Sequence, residues 1–412
     1  VIPRRALLAS PLLVSPLLAS PLLASPLLAV GPVASAANPS WDQVERDGRG
    51  ATVYFNAWGG DDRTNAFIAW AGERMRMLHG VTVRHVRLAD TGEAVARVVA
   101  ERAAGRTSGG SVDLIWINGP NFLAMKRQGL LYGPVLDRLP NAALIDRDKP
   151  TLVDFAEPTD GFEVPWRMAR VVFVRDTAVT RDPPRSMRAM VAWAAAHPGR
   201  LTHPIASDFM GATFLKQALM ELAPRPAELL APVTDAAYAA AAAPLWSWYG
   251  ALRPHLWRGG TDFPASGPAQ TRLFQDGEID LFISFNPAEA AVGIASGALP
   301  DTARAYVLDG GTLGNCSFVA VPFDAANPAA ALLLANFLLS PEAQARAADP
   351  RLLGSPTVLA LDRLSPADRA RFAAFADVPG ALTPAELGRP LPEPHASWMT
   401  RLAEDWRRRV TG

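Results

Sequence analysis

The segment Val112-Asp-Leu-Ile-Trp-Ile-Asn118 is a nearly continuous apolar run, the mark of a strand buried on both faces of a parallel sheet. Two strand-like stretches precede it, each followed by a helical one. Val53 to Phe55 is β-branched and aromatic, and Ala66 to Leu78 repeats apolar residues at helical spacing with Gly80 placed to end it. Val81 to Leu88 alternates with period two, and Gly92 to Ala104 is helical again. The order β, α, β, α, β predicts a doubly wound α/β domain, whose ligand crevice lies beyond the carboxyl ends of the strands. Asn56 to Gly60 follows the first strand and Trp116 to Phe122 the third, so both loops should line one edge.

The first loop, Trp58-Gly59-Gly60-Asp61, breaks the strand pattern, and Asp61 or Asp62 is suited to cap the helix that follows. Such a turn presents free N–H groups at the positive end of a helix, and Trp58 adds an aromatic face. A plain βα turn with a core tryptophan has the same pattern. The layout recurs where the apolar strand ending at Phe285 opens into Asn286-Pro287, with Asn286 placed to cap a helix from Ala288 to Ala295. Between these, Gly161-Phe-Glu-Val-Pro-Trp166 puts a proline in a strand-like region and marks the crossing to a second domain. That second region is mostly helical: Met187 to Ala196, Ala212 to Leu222 and an alanine-rich helix over Ala236 to Ala243. Two tryptophan-bearing stretches follow, Leu245 to Tyr249 and Leu256 to Gly260, the second holding Trp257.

Residues 1–36 read as a secretory signal. Arg4-Arg5 is a basic start, Ala6 to Val30 carries no charge, and Ala34-Ser35-Ala36 supplies a small-x-small cleavage pattern after Ala36. Pro11, Pro16, Pro21 and Pro26 interrupt a helix repeatedly and argue against a permanent anchor. The twin-arginine route is raised by Arg4-Arg5, although the surrounding residues match that signal poorly. The chain of 412 residues balances 40 Lys plus Arg against 40 Asp plus Glu. Loss of Arg4 and Arg5 tips it slightly acidic, which excludes the basic excess of a nucleic-acid binder. One cysteine, Cys316, permits no internal disulfide and reads as a small core residue. The expectation is a monomer free in the bacterial periplasm.

Catalytic motifs are missing. The sequence has no Gly-x-Ser-x-Gly elbow, no His-Glu-x-x-His, no P-loop and no paired Cys-x-x-Cys, and its six histidines show no i, i+4 spacing. Neither metal nor cofactor is expected. The reading of another class, an exported hydrolase or lyase, requires a cleft acid–base pair, for instance Glu163 with His203.

Five ordered motifs carry a resemblance. Phe55-Asn-Ala-Trp-Gly-Gly-Asp61, Asp113 to Gly119, Gly161 to Trp166, Ser284-Phe-Asn-Pro-Ala-Glu-Ala290 and Ala335-Asn-Phe-Leu-Leu-Ser-Pro-Glu-Ala-Gln344 resemble the extracellular solute-binding proteins of ABC importers, and within them the YnjB-like branch. The resemblance implies a periplasmic binding protein type 2 fold: two α/β lobes, each a sheet flanked by helices, joined by a hinge. It implies lobe 1 over 41–165 plus 316–345, lobe 2 over 166–315 plus 346–412, a solute in the cleft, and an inner-membrane permease as partner. The solute should meet Trp58, Gly59, Gly60, Asp61, Trp116, Asn118 and Trp166 on one side and Trp257, Phe285 and Asn286 opposite. The aromatic residues with Asp61, Asp62 and Glu163 point to a thiamine-like or other amine cation; the alternative is a small anion at the helix starts after Gly60 and Pro287.

Overall fold

The computed structural model describes residues 39–373, 378 and 380–410, so the expected signal segment lies outside the described residues. In chain order the strands are β1 (Thr52–Trp58), β2 (Thr82–Leu88), β3 (Leu114–Ile117), β4 (Val153–Asp154), β5 (Glu157–Pro158), β6 (Glu163–Arg170), β7 (Val172–Asp176), β8 (Leu281–Ser284), β9 (Ala303–Tyr306) and β10 (Gly314–Ala320). Five of them form a sheet in the order β2-β1-β3-β10-β6. The expected β-α-β-α-β unit supplies its parallel half, and β10 joins antiparallel to both β3 and β6. The second sheet, β8-β7-β9, is antiparallel throughout.

Side-chain alternation explains how each strand is buried. Val53, Phe55 and Ala57 point into one core of the first sheet. In β3, Leu114 enters that core while Ile115 and Ile117 enter another on the opposite face, as a doubly buried strand requires. Pro165 lies in β6, an edge strand, beside a register shift between Ser317 and Phe318, where a missing N–H is tolerated.

The chain leaves the first sheet at Arg170 and enters the second at Val172, and it returns between Tyr306 and Gly314. The two crossing segments are tied together. Val171 N–H donates to Leu313 O (2.8 Å), Thr312 Oγ1 donates to Val171 O (2.6 Å), and Arg170 Nε donates to Thr312 Oγ1 (2.9 Å). Around them, the helices Met187–Ala196 and Phe209–Leu222 build the second core with Leu281 and Ile283. Near the C-terminus, Leu353, Val358, Leu359 and Leu364 bury in the first core, whereas Trp398, Leu402 and Trp406 of the helix Ala396–Val410 bury in the second.

Two elements differ from the sequence reading. The alanine-rich helix does not stop at Ala243 but runs over Asp235–Leu252 with Pro244 inside it. Proline removes one hydrogen bond there, but Leu245, Trp248, Tyr249 and Leu252 are all buried in the second core, and that burial outweighs the loss. Thr357-Val-Leu-Ala-Leu361 has the composition of a short strand, yet it forms only one bridge, Leu359 with Ile145. The motif ending in Gln344 has a packing role: Ser340 caps the helix Pro341–Ala348, and the buried Gln344 amide donates to Trp166 O and Leu338 O while accepting from Thr357 Oγ1 and Val358 N. Among the described residues no helix is long and apolar enough to cross a membrane.

Candidate functional site

The turn after β1 is built as the sequence indicated. Asp61 is the N-cap of the helix Asp62–His79, accepting from Thr64 N (3.0 Å) and Thr64 Oγ1 (2.7 Å). Gly59 N–H donates to Leu88 O (3.0 Å), and Asn65 Nδ2 donates to Gly59 O (3.0 Å). Both glycines are required by close approach. A Cβ on Gly60 would stand 2.5 Å from the Trp58 indole, and one on Gly59 would stand 2.6 Å from Arg87 Cβ.

Three of the expected aromatic residues come together. Trp58 meets Trp116 edge to face at 6.4 Å between centroids, and Trp116 meets Trp166 at 5.2 Å with the rings perpendicular. Trp58 and Trp116 are half-buried. Trp166 is fully buried and stacks on Phe67 at 5.9 Å, so it backs the group from the core side. Phe122 is a core residue.

The remaining expected residues are placed otherwise. Asn118 Nδ2 donates to Asp154 Oδ1 (3.0 Å) and Cys316 O (2.8 Å), which fixes the β4–β5 hairpin against β10. Asn286 accepts from Ala288 N (3.0 Å) and donates to Leu353 O (2.9 Å); it shapes the turn before the helix Glu289–Ala295, whose N-cap is Ala288. Phe285 packs on Phe209 (5.5 Å), which packs on Phe155 (6.3 Å) of the hairpin. Trp257 packs against the small core with Leu273 and donates its indole N–H to Glu278 (2.8 Å), apart from the other three tryptophans.

Charged side chains that the sequence reading did not single out complete the region. Arg63 donates to Asp61 (2.9 Å) and also reaches Glu289 (3.1 Å), which in turn accepts from Ser284 Oγ (3.0 Å). This ion pair joins the helix after β1 to the helix after β8, one from each sheet. Burial alone would raise the Asp61 pKa, but Arg63 and the Thr64 bonds outweigh it and hold the carboxyl below its usual range. Arg167 lies over Trp116 at 4.4 Å and over Trp166 at 4.7 Å. A second polar group surrounds Phe155: Lys216 Nζ donates to Glu393 Oε2 (2.8 Å) and stands 4.2 Å from the Phe155 ring. Burial pushes Asp154 up to about 7. Glu163, also buried, is raised well above the usual carboxylate range and has no hydrogen-bond partner for either oxygen.

The acid–base pair considered for a hydrolase is not assembled. Glu163 belongs to β6 of the first sheet, whereas His203 stacks on Phe214 (4.7 Å) in the second core and bonds Pro204 O and Tyr249 Oη. Burial lowers His203 to about 4, a neutral ring at pH 7. Cys316 is buried, as expected. Among the described residues no group of His, Cys, Asp and Glu could hold a metal ion. A groove of about 300 Å³ runs elsewhere, between the helices Pro120–Arg127 and Ala396–Val410, lined by Leu123, Arg127, Arg401 and Glu404.

Two sheets with tied crossing strands, and a charged bridge between the elements that follow β1 and β8, define a two-lobed binding protein. The chain belongs to the bacterial extracellular solute-binding proteins, whose family model matches residues 63–364. It is 41% identical over 366 residues to Protein YnjB of Escherichia coli, covering 89% of this chain and 92% of that one. Its fold is similar to the fructose-6-phosphate-bound periplasmic binding protein AfuA of Actinobacillus pleuropneumoniae, with TM-score 0.61, 16% identity, and coverage of 88% of this chain and 99% of the other. It is similar also to a putative spermidine/putrescine ABC transporter protein of Listeria monocytogenes, with TM-score 0.60, 14% identity, and coverage of 87% and 98%. The chain is therefore the solute-binding component of an ABC transporter.

Proposed function

We propose that the protein, exported with cleavage after Ala36, holds a small solute between its lobes against the wall of Trp58, Gly59, Gly60 and Trp116, and presents the closed form as a monomer to an inner-membrane permease. The observation that carries this reading is the Arg63–Glu289 bridge, which joins that wall to the helix after β8. A contact across the cleft favours the closed state, and a solute shifts the population by its own differential affinity. The lobe division we infer, 41–165 plus 316–345 against 166–315 plus 346–412, moves at its crossings to Arg170–Val172 and Leu313–Gly314, because all of β6 and β10 lies in the first sheet, and the packing of Leu353 to Leu364 in the first core moves that short stretch to the first lobe.

An amine cation is one reading of the aromatic wall, with cation–π contacts of about 0.5 to 2 kcal/mol each, and a small anion is the other. The spermidine/putrescine name of the Listeria protein is in keeping with the amine. Of the three acids expected beside an amine, however, Asp61 caps a helix and pairs with Arg63, and Glu163 is fully buried; only Asp62 is exposed. The anion reading has its own support in Arg167. No turnover is proposed, since His203 is a neutral core residue. A thermal-shift screen of amines, sugar phosphates and carboxylates tests the reading. A dose-dependent rise in melting temperature with one class supports it, and indifference to every class counts against it.

A further inference from the structure

We propose that Arg167 receives an oxyanion of the solute, a carboxylate or a phosphate, at the Trp58–Trp116 wall; the proposal rests on the solute-binding reading above. The guanidinium lies in the corner of two perpendicular indoles, 4.4 Å from the Trp116 centroid and 4.7 Å from that of Trp166. Stacking of this kind fixes the plane of the side chain and leaves its N–H edge as the only polar face. Among the described residues that edge has no acceptor: Nε is buried without a partner, and no carboxylate stands within ion-pair distance. Arg63, its neighbour in charge, is matched by both Asp61 and Glu289. The electrostatic attraction Arg167 does feel comes first from Asp61, whose oxygens are already taken by Thr64 and Arg63.

Arg167 is half-buried, with Nε enclosed and, among the described residues, no protein acceptor on the guanidinium, and a planar guanidinium is the side chain best matched to a two-oxygen acceptor. Burial lowers Arg167 only to about 10, so it stays protonated at pH 7 and keeps that capacity. The same charge disfavours an amine at this face. A purely structural role in cation–π packing on the tryptophan rings would account for the charge but would not need the N–H edge to be left without an acceptor. The expected solute thus carries an oxyanion beside a body that packs on Trp58 and Trp116.

The test is a tryptophan-fluorescence titration of the mature chain at fixed ionic strength with inorganic phosphate, citrate and spermidine. Wild type, Arg167→Lys and Arg167→Gln are compared, with circular dichroism and melting temperature recorded for each. The account expects a saturable response to phosphate or citrate, telling which oxyanion is preferred. Affinity should fall about tenfold or more in Arg167→Gln and less in Arg167→Lys, because a charge-assisted pair is lost in the first and its fork geometry in the second. If Arg167→Gln melts early, Arg167→Lys, which keeps the charge and stem, carries the comparison. Equal oxyanion affinity in wild type and the decisive variant overturns the proposal, as does the lack of any saturable response to both anions. If spermidine alone saturates and compacts the protein in scattering, the solute-binding reading stands and the Arg167 proposal falls. If none of the three saturates and no solute copurifies, both fall.

Discussion

Lys216→Met removes one half of the most deeply buried ion pair in the described structure. Lys216 and Glu393 have side-chain exposures of 0% and 2%, and their charged atoms are 2.8 Å apart. The ammonium also stands 4.2 Å from the Phe155 centroid and 5.1 Å from that of Phe209. After the substitution Glu393 keeps one donor, Asn315 Nδ2 at 3.2 Å, and breaking a buried pair in this way costs about 3–5 kcal/mol. With a urea slope of about 3 kcal/mol/M, the unfolding midpoint should fall by about 1 M or more, followed by circular dichroism. Burial already raises the Glu393 pKa, so without Lys216 the acid takes up a proton and the deficit should be smaller at pH 5 than at pH 8. The pair Lys216→Met with Glu393→Leu removes both charges and should recover most of the loss. A single substitution that leaves the midpoint unchanged, or a double one that adds the two losses, would refute the reasoning.

Three further outcomes follow from particular residues. Asp154 is raised from 3.8 to about 7 by burial, so the folded protein holds this proton more tightly than the unfolded chain; its contribution is fully present below about pH 4 and is lost as pH rises through about 7. Urea midpoints measured across that window should decline with pH, and Asp154→Asn should flatten the decline. Arg63→Gln breaks a half-buried bridge worth about 1 kcal/mol, and should enlarge the radius of gyration of the unliganded protein while lowering its melting temperature only slightly; an unchanged scattering profile contradicts the bridge as a link between lobes. Gly60→Ala forces the Trp58 ring to move, since the added Cβ would lie 2.5 Å from it, so the fluorescence maximum and solute affinity should both change; an unaltered spectrum denies the close approach.

Local chemistry was legible in the sequence. The Asp61 cap, the Gly80 terminator at φ 68° and the Ser340-Pro341 helix start are fixed by neighbours a few residues away. The doubly buried β3 was readable from its apolar run because both faces must be apolar. The sheet order was not, since β10 inserts between β3 and β6 from far along the chain. For the same reason nothing in the sequence pairs Arg63 with Glu289, 226 residues apart. Asn118 and Asn286 looked like ligand donors because polar residues at strand ends serve equally to hold backbone, which is what both do here. Trp257 beside Gly259-Gly260 imitates the Trp58 turn, yet the chain there turns through left-handed Arg258 (φ 51°) and Gly259 (φ 64°) on the rim of a small core. Lys216 had a usable signal: it is the one basic residue in the buried helix Phe209–Leu222, where an unpaired charge could not be left.

The central claim, that a small solute is held between the two lobes, is tested most directly by native mass spectrometry of the protein as purified from cells that express it. The account predicts a population heavier than the bare chain by one small molecule, released on denaturation and restored by incubation with the low-mass fraction of the growth medium. The bare mass alone, before and after that incubation, would contradict it.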